Sequence, residues 1–379
     1  MQRVDLTSEV KKMSEEIRVM SEPLKAFCVR IFEALDVDKD DAAVVADNLV
    51  AADLRGIASH GVARLRRYVK GIREGTILPR SRIRVEQETA ATARIDGGGG
   101  LGQPISARAM KMAIEKAREA GAGFVTVRNS NHYGIAGYYA MMALEHDMIG
   151  ISMTNSGVLV VPTFGRDSML GTNPVSVAAP AHEQRPFVLD MATSTVPRGK
   201  LEVYNRMEKP IPLGWATDEA GVPTDDAGRV LNNLENASGG GLLPLGGAGE
   251  LFSGHKGFGL ALMVDILSGV LSGAGYADNI YTKDPSGQPR PADVGHFFGA
   301  LRIDGFRPVE DFKQTMDDII NRIRHTAKAS GEERIFIHGE KEFEIQEERL
   351  RYGIILHPKV KNDLKTLGNE HGVTFDLNS

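Results

Sequence analysis

From Pro23 to about Gly75 the apolar residues recur at helical steps. Leu24, Phe27, Cys28 and Ile31 lie three and four residues apart, and Asp40 or Asp41 can cap the Ala- and Val-rich stretch that follows. Ser59 precedes a third periodic stretch with Val62, Leu65, Tyr68, Val69 and Ile72 on one face, closed by Gly75. This predicts a helix with a serine N-cap and His60 in its first turn. After Pro79 the period shortens. Apolar runs predict strands over 82–86, 91–95, 123–127, 148–153, 158–161, 174–178 and 186–190, with helices over 104–120 and 137–146. Residues 204–247 are rich in Pro, Gly, Asn and Asp and read as a long mobile loop region. A helix over 256–272, a loop over 277–292, a strand over 294–303, a charged amphipathic helix over 309–325 and a mixed tail complete the pattern. The rhythm is that of a mixed α/β chain with a helical N-terminal module.

Composition narrows the function classes. The chain of 379 residues has room for two domains, and its 42% hydrophobic and 25% charged content argues against disorder. With 45 Lys and Arg against 50 Asp and Glu, the net charge of -5 favours neither nucleic acid nor an anionic membrane, so an anionic substrate would need a local positive pocket. Cys28 is the one cysteine, which rules out a disulfide within the chain and a multi-cysteine metal site. No metal is expected. Residues 1–22 lack the continuous apolar run of a secretion signal. The apolar stretch 257–276 contains Asp265 and repeated glycines and follows His255 and Lys256, so it reads as a buried core helix. The expected location is the cytoplasm.

Gly97, Gly99 and Gly102 satisfy G-x-G-x-x-G after a plausible strand. A dinucleotide fingerprint also wants an acidic residue at the end of the next strand, where this chain has Arg128, Asn129 and Ser130. Arg128 would suit a 2′-phosphate instead. The plainer reading is a turn that lets chain segments pack closely.

The string Ser59 to Arg64, S-H-G-V-A-R, places His60 and Arg64 four residues apart, on one face of the expected helix. Reduction of a 2-oxo acid needs a proton donor at the carbonyl oxygen and a fixed cation for the carboxylate, and these residue types supply both. A capping serine beside a surface His and Arg would give the same string. Further strings follow in order: N-S-N-H-Y-G-I-A-G-Y-Y-A, L-G-T-N-P, L-D-M-A-T-S-T-V-P-R-G-K, G-L-L-P-L-G-G and G-H-K-G-F-G-L-A-L-M-V-D. Together they resemble the type-2 malate/L-lactate dehydrogenase family, from about Ser21 to Glu340.

The resemblance implies a non-Rossmann, NAD- or NADP-binding α/β domain with a mixed sheet (81–255). It also implies a largely helical substrate and dimerisation part built from 21–80 and about 256–379. It implies a homodimer acting on a small anionic 2-oxo or 2-hydroxy acid, with sites near the domain and subunit boundary. By resemblance, His60 and His132 share the acid/base and orienting roles in an order left open, and Arg64 holds the carboxylate. Ser156, Thr172 and Asn173 fall in segments around the nicotinamide, Asp190, Met191, Ala192 and Thr193 in the dinucleotide segment, and His255 and Lys256 at a phosphate or substrate anion. Gly339 and Glu340 match a P-G-E signature near the cofactor, although His338 stands where proline is expected. His182 and Arg185 offer a site for a 2′-phosphate or form a polar surface turn. A cyclic-imine reductase or ureidoglycolate dehydrogenase on the same fold, and a nucleotide-sensing protein without turnover, are the alternatives.

Overall fold

The computed structural model describes residues 17–283 and 285–376. The expectation that residues 1–22 form no apolar leader falls, as far as residue 16, outside the described residues. Packing divides the chain into two units, one holding the residues up to Arg73 together with those from Lys341 on, the other running from Glu74 to Glu340.

The first unit opens with β1 (Ile17–Val19), α1 (Ser21–Glu33) and α2 (Lys39–Leu54), followed by a 3-10 turn (Val62–Arg64) that leads into α3 (Leu65–Arg73). The predicted stripe of α1 is buried, including Leu24, Phe27, Cys28 and Ile31. Asp38 is the N-cap residue of α2, so Asp40 and Asp41 are not caps; they sit in the first turn, where a negative charge favours the helix dipole.

The second unit is built on a seven-stranded sheet. Its elements are β2 (Arg84–Glu88), β3 (Thr92–Asp96), α4 (Gly102–Ala120), β4 (Ala122–Ser130), α5 (Ala136–Met142), β5 (Met148–Thr154), β6 (Val175–Ala179) and β7 (Phe187–Met191). There follow α6 (Arg198–Arg206), β8 (Ala216–Thr217), α7 (Ala227–Asn236), β9 (Gly241–Leu242), α8 (Gly254–Asp265), β10 (Val294–Arg302) and α9 (Val309–His325). The sheet order is β2-β3-β4-β10-β5-β6-β7. Only β3 and β4 pair in parallel within it, and the other neighbouring pairs are antiparallel. This is the expected mixed α/β class, and it lacks the run of parallel strands that defines a Rossmann sheet.

The chain then returns to the first unit through α10 (Glu340–Tyr352), β11 (Ile354–Leu356) and α11 (Pro358–His371), with β11 antiparallel to β1. The mixed tail is therefore two helices and a strand.

Other expectations change. Residues 256–340 belong to the sheet unit, because β10 fills the centre of the sheet between β4 and β5. Residues 204–247 are not one long loop: they carry most of α6's last turn, α7, β8 and β9. Leu201, Ile211, Ala216, Val230, Leu231 and Leu242 share a buried cluster there, because scattered apolar residues found each other across the Gly- and Pro-rich turns. The strand expected over 158–161 is reduced to isolated bridges from Val160 to Leu170 and Leu242. The helix expected over 256–272 begins at Gly254 and passes at Ile266 into a π-turn (Ile266–Val270). Among the described residues no helix is long and apolar enough to cross a membrane.

Candidate active site

In the first unit His60 lies in a bend rather than in the first turn of a helix, and the 3-10 turn begins only at Val62. The cause is Asp53, in the last turn of α2, whose buried carboxylate accepts the Val62 amide at 2.7 Å. Gly61 is needed here, since a Cβ on it would fall 2.1 Å from Asp53 Oδ1. The bend draws the motif together: Ser59 Oγ is 2.9 Å from His60 Nδ1, and Arg64 Nε donates to the Ser59 carbonyl at 2.6 Å. His60 and Arg64 therefore both contact Ser59, through its hydroxyl and its carbonyl, rather than sharing the face of a helix. Burial, with the Arg64 and Arg67 charges, lowers the His60 pKa to about 4, so its imidazole is neutral at physiological pH.

In the second unit the glycine motif proves to be a packing device. The Gly97 and Gly99 amides donate to Arg128 O at 2.9 Å and Asn129 O at 2.8 Å, so they are engaged within the chain rather than available to a pyrophosphate. A Cβ on Gly102 would fall 2.2 Å from Asn131 O and 2.6 Å from His132 O. Asn131 Nδ2 donates to the carbonyls of Gly99 and Gly100. The motif thus seats the half-buried His132 where β4 gives way to α5. His132 Nδ1 accepts the Gly134 amide at 3.3 Å, which leaves the proton of the neutral ring on Nε2. Arg128 is paired with Glu86 (2.6 Å) and Asp96 (3.0 Å).

Ser156, Thr172, Asn173 and Thr193 come together. Asn173 Oδ1 accepts the Ser156 amide at 3.2 Å and its Nδ2 donates to Ala261 O of α8 at 3.0 Å. Thr193 Oγ1 donates to the carbonyls of Thr172 and Asn173, and the Thr193 carbonyl accepts the Leu245 amide. A Cβ on Gly171 would fall 2.2 Å from Ser156 Oγ, so the chain closes tightly around these hydroxyls. Met191 and Ala192, half-buried, join Thr193 to the end of β7. His255 and Lys256 are exposed in the first turn of α8, which has no side-chain cap. Short polar side chains in a narrow cradle, and an ammonium group in the first turn of a helix, are of the kinds that fit a dinucleotide's amide and phosphate groups.

The remaining expected residues have protein partners. Asp190 Oδ2 accepts the Gly137 amide at 2.7 Å, capping the start of α5 just beyond His132. Glu340 is buried and bound to Arg324, to Arg334 at 3.5 Å and to the Ile337 amide at 2.8 Å. Gly339, at φ 95°, packs on Val188 of β7, and the His338 carbonyl, which a proline would equally supply, accepts the Val188 amide. His182 pairs with Glu310 at 2.7 Å, and the amides of residues 182–184 all donate to Asp317. Arg185 donates to the Glu340 carbonyl.

The residue that the sequence reading missed is His296. It is fully buried in β10 with both ring nitrogens hydrogen-bonded, and its one outward sign is a single polar letter inside the apolar run V-G-H-F-F-G-A-L. Among the described residues no cluster of His, Cys, Asp or Glu could hold a metal ion.

Comparison with known proteins places these features in context. The family model described as malate/L-lactate dehydrogenase matches residues 19–365. The chain is 51% identical over 357 residues to a malate dehydrogenase of Pyrococcus abyssi, covering 94% of this chain and 96% of that one. A malate/(S)-sulfolactate dehydrogenase of Methanothermus fervidus is 38% identical, covering 93% and 97% respectively. The solved structure of malate dehydrogenase from Pyrococcus horikoshii is similar with a TM-score of 0.86 at 48% identity, covering 95% of this chain and 97% of that chain.

Proposed function

Because the chain belongs to the malate/L-lactate dehydrogenase family, we propose that it transfers a hydride between a nicotinamide dinucleotide and C2 of a small 2-hydroxy or 2-oxo acid, with malate and oxaloacetate as the leading pair. The observation that carries this reading is the Ser59–Arg64 turn, which holds an imidazole and a guanidinium on one serine. Arg64 grips the substrate carboxylate, and its positive neighbourhood, shared with Arg67, favours an anion. His132 exchanges the oxygen-bound proton from Nε2, in keeping with its Nδ1 being an acceptor. His60, neutral at physiological pH, orients the substrate through hydrogen bonding.

A bound dinucleotide supplies the hydride donor or acceptor. Ser156, Thr172, Asn173, Met191, Ala192 and Thr193 are the residues proposed to hold its nicotinamide end, and His255 and Lys256 its phosphates. Asp190, Gly339 and Glu340 serve this site through the backbone they anchor, since their contacts run to α5, to β7 and to Arg324. The contacts of His182 with Glu310 and of Arg128 with Glu86 favour NAD over NADP, because a 2′-phosphate would have to displace partners already in place. The second unit also leaves Leu262, Ile266, Val270 and Leu271 between 41% and 55% exposed on α8 and the turn after it, a face suited to a second copy in a homodimer. The buried lone cysteine accords with the reducing cytoplasm, the compartment we propose.

The test follows nicotinamide absorbance with both dinucleotides over oxaloacetate, pyruvate, sulfopyruvate and piperideine-2-carboxylate, and over the corresponding reduced acids. Oxaloacetate with NADH is expected to give the highest kcat/KM. Preference for the imine would replace the proposed substrate class, and dinucleotide binding without turnover would favour the sensor alternative. His132→Ala should lower kcat by about 10²–10⁴-fold, the usual weight of a general acid. His60→Ala should act chiefly on KM for the acid.

A further inference from the structure

β10 is the central strand of the sheet and is buried over its first seven residues, apolar except at His296. A buried imidazole there costs desolvation that a leucine would avoid, so its partners carry the explanation. Nδ1 lies 2.7 Å from Thr154 Oγ1, and Nε2 lies 2.8 Å from Ser130 Oγ. Thr154 Oγ1 also lies within hydrogen-bond distance of the carbonyls of Asn155 (2.9 Å) and Gly295 (3.0 Å). A neutral ring has one donor nitrogen and one acceptor, so it donates to one of these partners and accepts from the other. The ring also stacks on Tyr133, with centroids 4.8 Å apart and planes 2° from parallel.

The partners have a shared meaning in the fold. Ser130 is the last residue of β4 and Thr154 the last of β5, the two strands that flank β10. Two residues beyond Ser130 stands His132, and two beyond Thr154 stands Ser156. Gly295, next to the imidazole, reinforces the β5 exit by donating to Asn155 Oδ1 at 2.9 Å. Tyr133, under the ring, is the residue directly after His132.

We infer that His296 is a positioning residue for the reaction: a single buried imidazole fixes the exits of both strands, and with them the placement of the His132 and Ser156 segments. The inference rests on the functional reading given above. It follows from the network being fully satisfied, since a neutral ring with one donor and one acceptor bridges two hydroxyls that no apolar residue could join. Small displacements of a reacting group are costly, with about 1 Å worth roughly 10²-fold in rate.

The test uses the full chain with His296→Phe, which keeps the ring and its stacking surface but loses both hydrogen bonds, together with His296→Asn and Ser130→Ala. Assays run well below each variant's Tm, with kcat, both KM values and the pH dependence of kcat measured. We expect His296→Phe to lower kcat by about ten- to hundred-fold. The apparent pKa in its kcat profile should move by roughly half a unit or more as the His132 segment shifts. His296→Asn, which keeps one donor group and one acceptor, should recover part of the loss, and Ser130→Ala should show a smaller loss of the same kind. A folded His296→Phe with the wild-type kcat and pH profile overturns the inference, as does a loss confined to Tm. If His296→Phe does not fold, an unchanged kcat and profile in Ser130→Ala overturns it. Wild-type protein inert on every acid and imine removes the functional reading and this inference together, whereas active wild type with unaffected variants removes this inference alone.

Discussion

Asp53 joins two demands that conflict. It must be buried to hold the Val62 amide and shape the turn bearing His60 and Arg64, yet burial pushes its carboxyl pKa up to about 7 despite that hydrogen bond and the nearby Arg349 charge. A folded-state pKa above the unfolded value means that the native protein binds the extra proton. The associated stability is complete below about pH 4 and is lost as pH rises through about 7, up to about 4 kcal/mol at 1.36 kcal/mol per unit. Asp53→Asn keeps an acceptor for Val62 and abolishes the titration. Thermal melts at pH 5 and pH 8 should show the variant gaining on the wild type at the higher pH, by enough to move Tm several degrees. An equal difference at the two pH values would remove Asp53 as the source. None of this was legible in the sequence, where His60 and Arg64 stood out as a pair but nothing marked the aspartate seven residues upstream as the group that bends the chain between them.

At the scale of elements, α8 is held against the turn that precedes it by two glycines. A Cβ on Gly254 would meet Gly247 O at 1.9 Å, and one on Gly257 would meet Leu245 O at 2.1 Å, both backbone atoms with no rotamer to yield. Gly257→Ala should therefore push the start of α8, with Lys256, off its seat, costing about 1–3 kcal/mol in denaturant titration and raising KM for the dinucleotide. Gly259→Ala, in the same helix with nothing within 4 Å, is the control and should be neutral or stabilising by about 0.5–1 kcal/mol. Equal losses in the two variants would show that helix propensity, not contact with the turn, decides. The contrast also shows where the pattern of the sequence carried information. The 309–325 helix is legible to its ends because its apolar residues recur at helical steps between Pro308 and the polar stretch after His325, and strands with flanking turns are legible to within a few residues. The 204–247 region was misread because its core residues are spread singly among Gly and Pro. His296 was missed because a strand buried on both faces shows no alternation against which a polar residue stands out. The partners that give it meaning lie 142 and 166 residues away, a pairing that local pattern does not contain.

For the whole molecule the open quantity is the number of copies that act together. Along α8 and the π-turn, Leu260, Leu262, Met263, Ile266, Val270 and Leu271 are each between 36% and 55% exposed, at spacings that return to one side of the helix every three or four residues. Inside the same stretch Ala261, Val264 and Asp265 are buried, so the element is apolar on both sides and only one side is covered by its own unit. Ile266→Glu combined with Val270→Glu should convert a dimer into a monomer in sedimentation, because each dimer would then place four carboxylates in an apolar contact. The wild-type dimer should persist at about 1 M salt, where charge pairs are screened within about 3 Å and apolar contacts are not weakened. A wild type that sediments as a single chain would remove the dimer, and a double variant that remains dimeric would move the interface elsewhere. The same sample decides whether association matters to the reaction: a monomeric double variant that keeps full kcat would show that each chain carries a complete site, whereas loss of kcat with unchanged far-ultraviolet dichroism would mean that the second copy contributes to it.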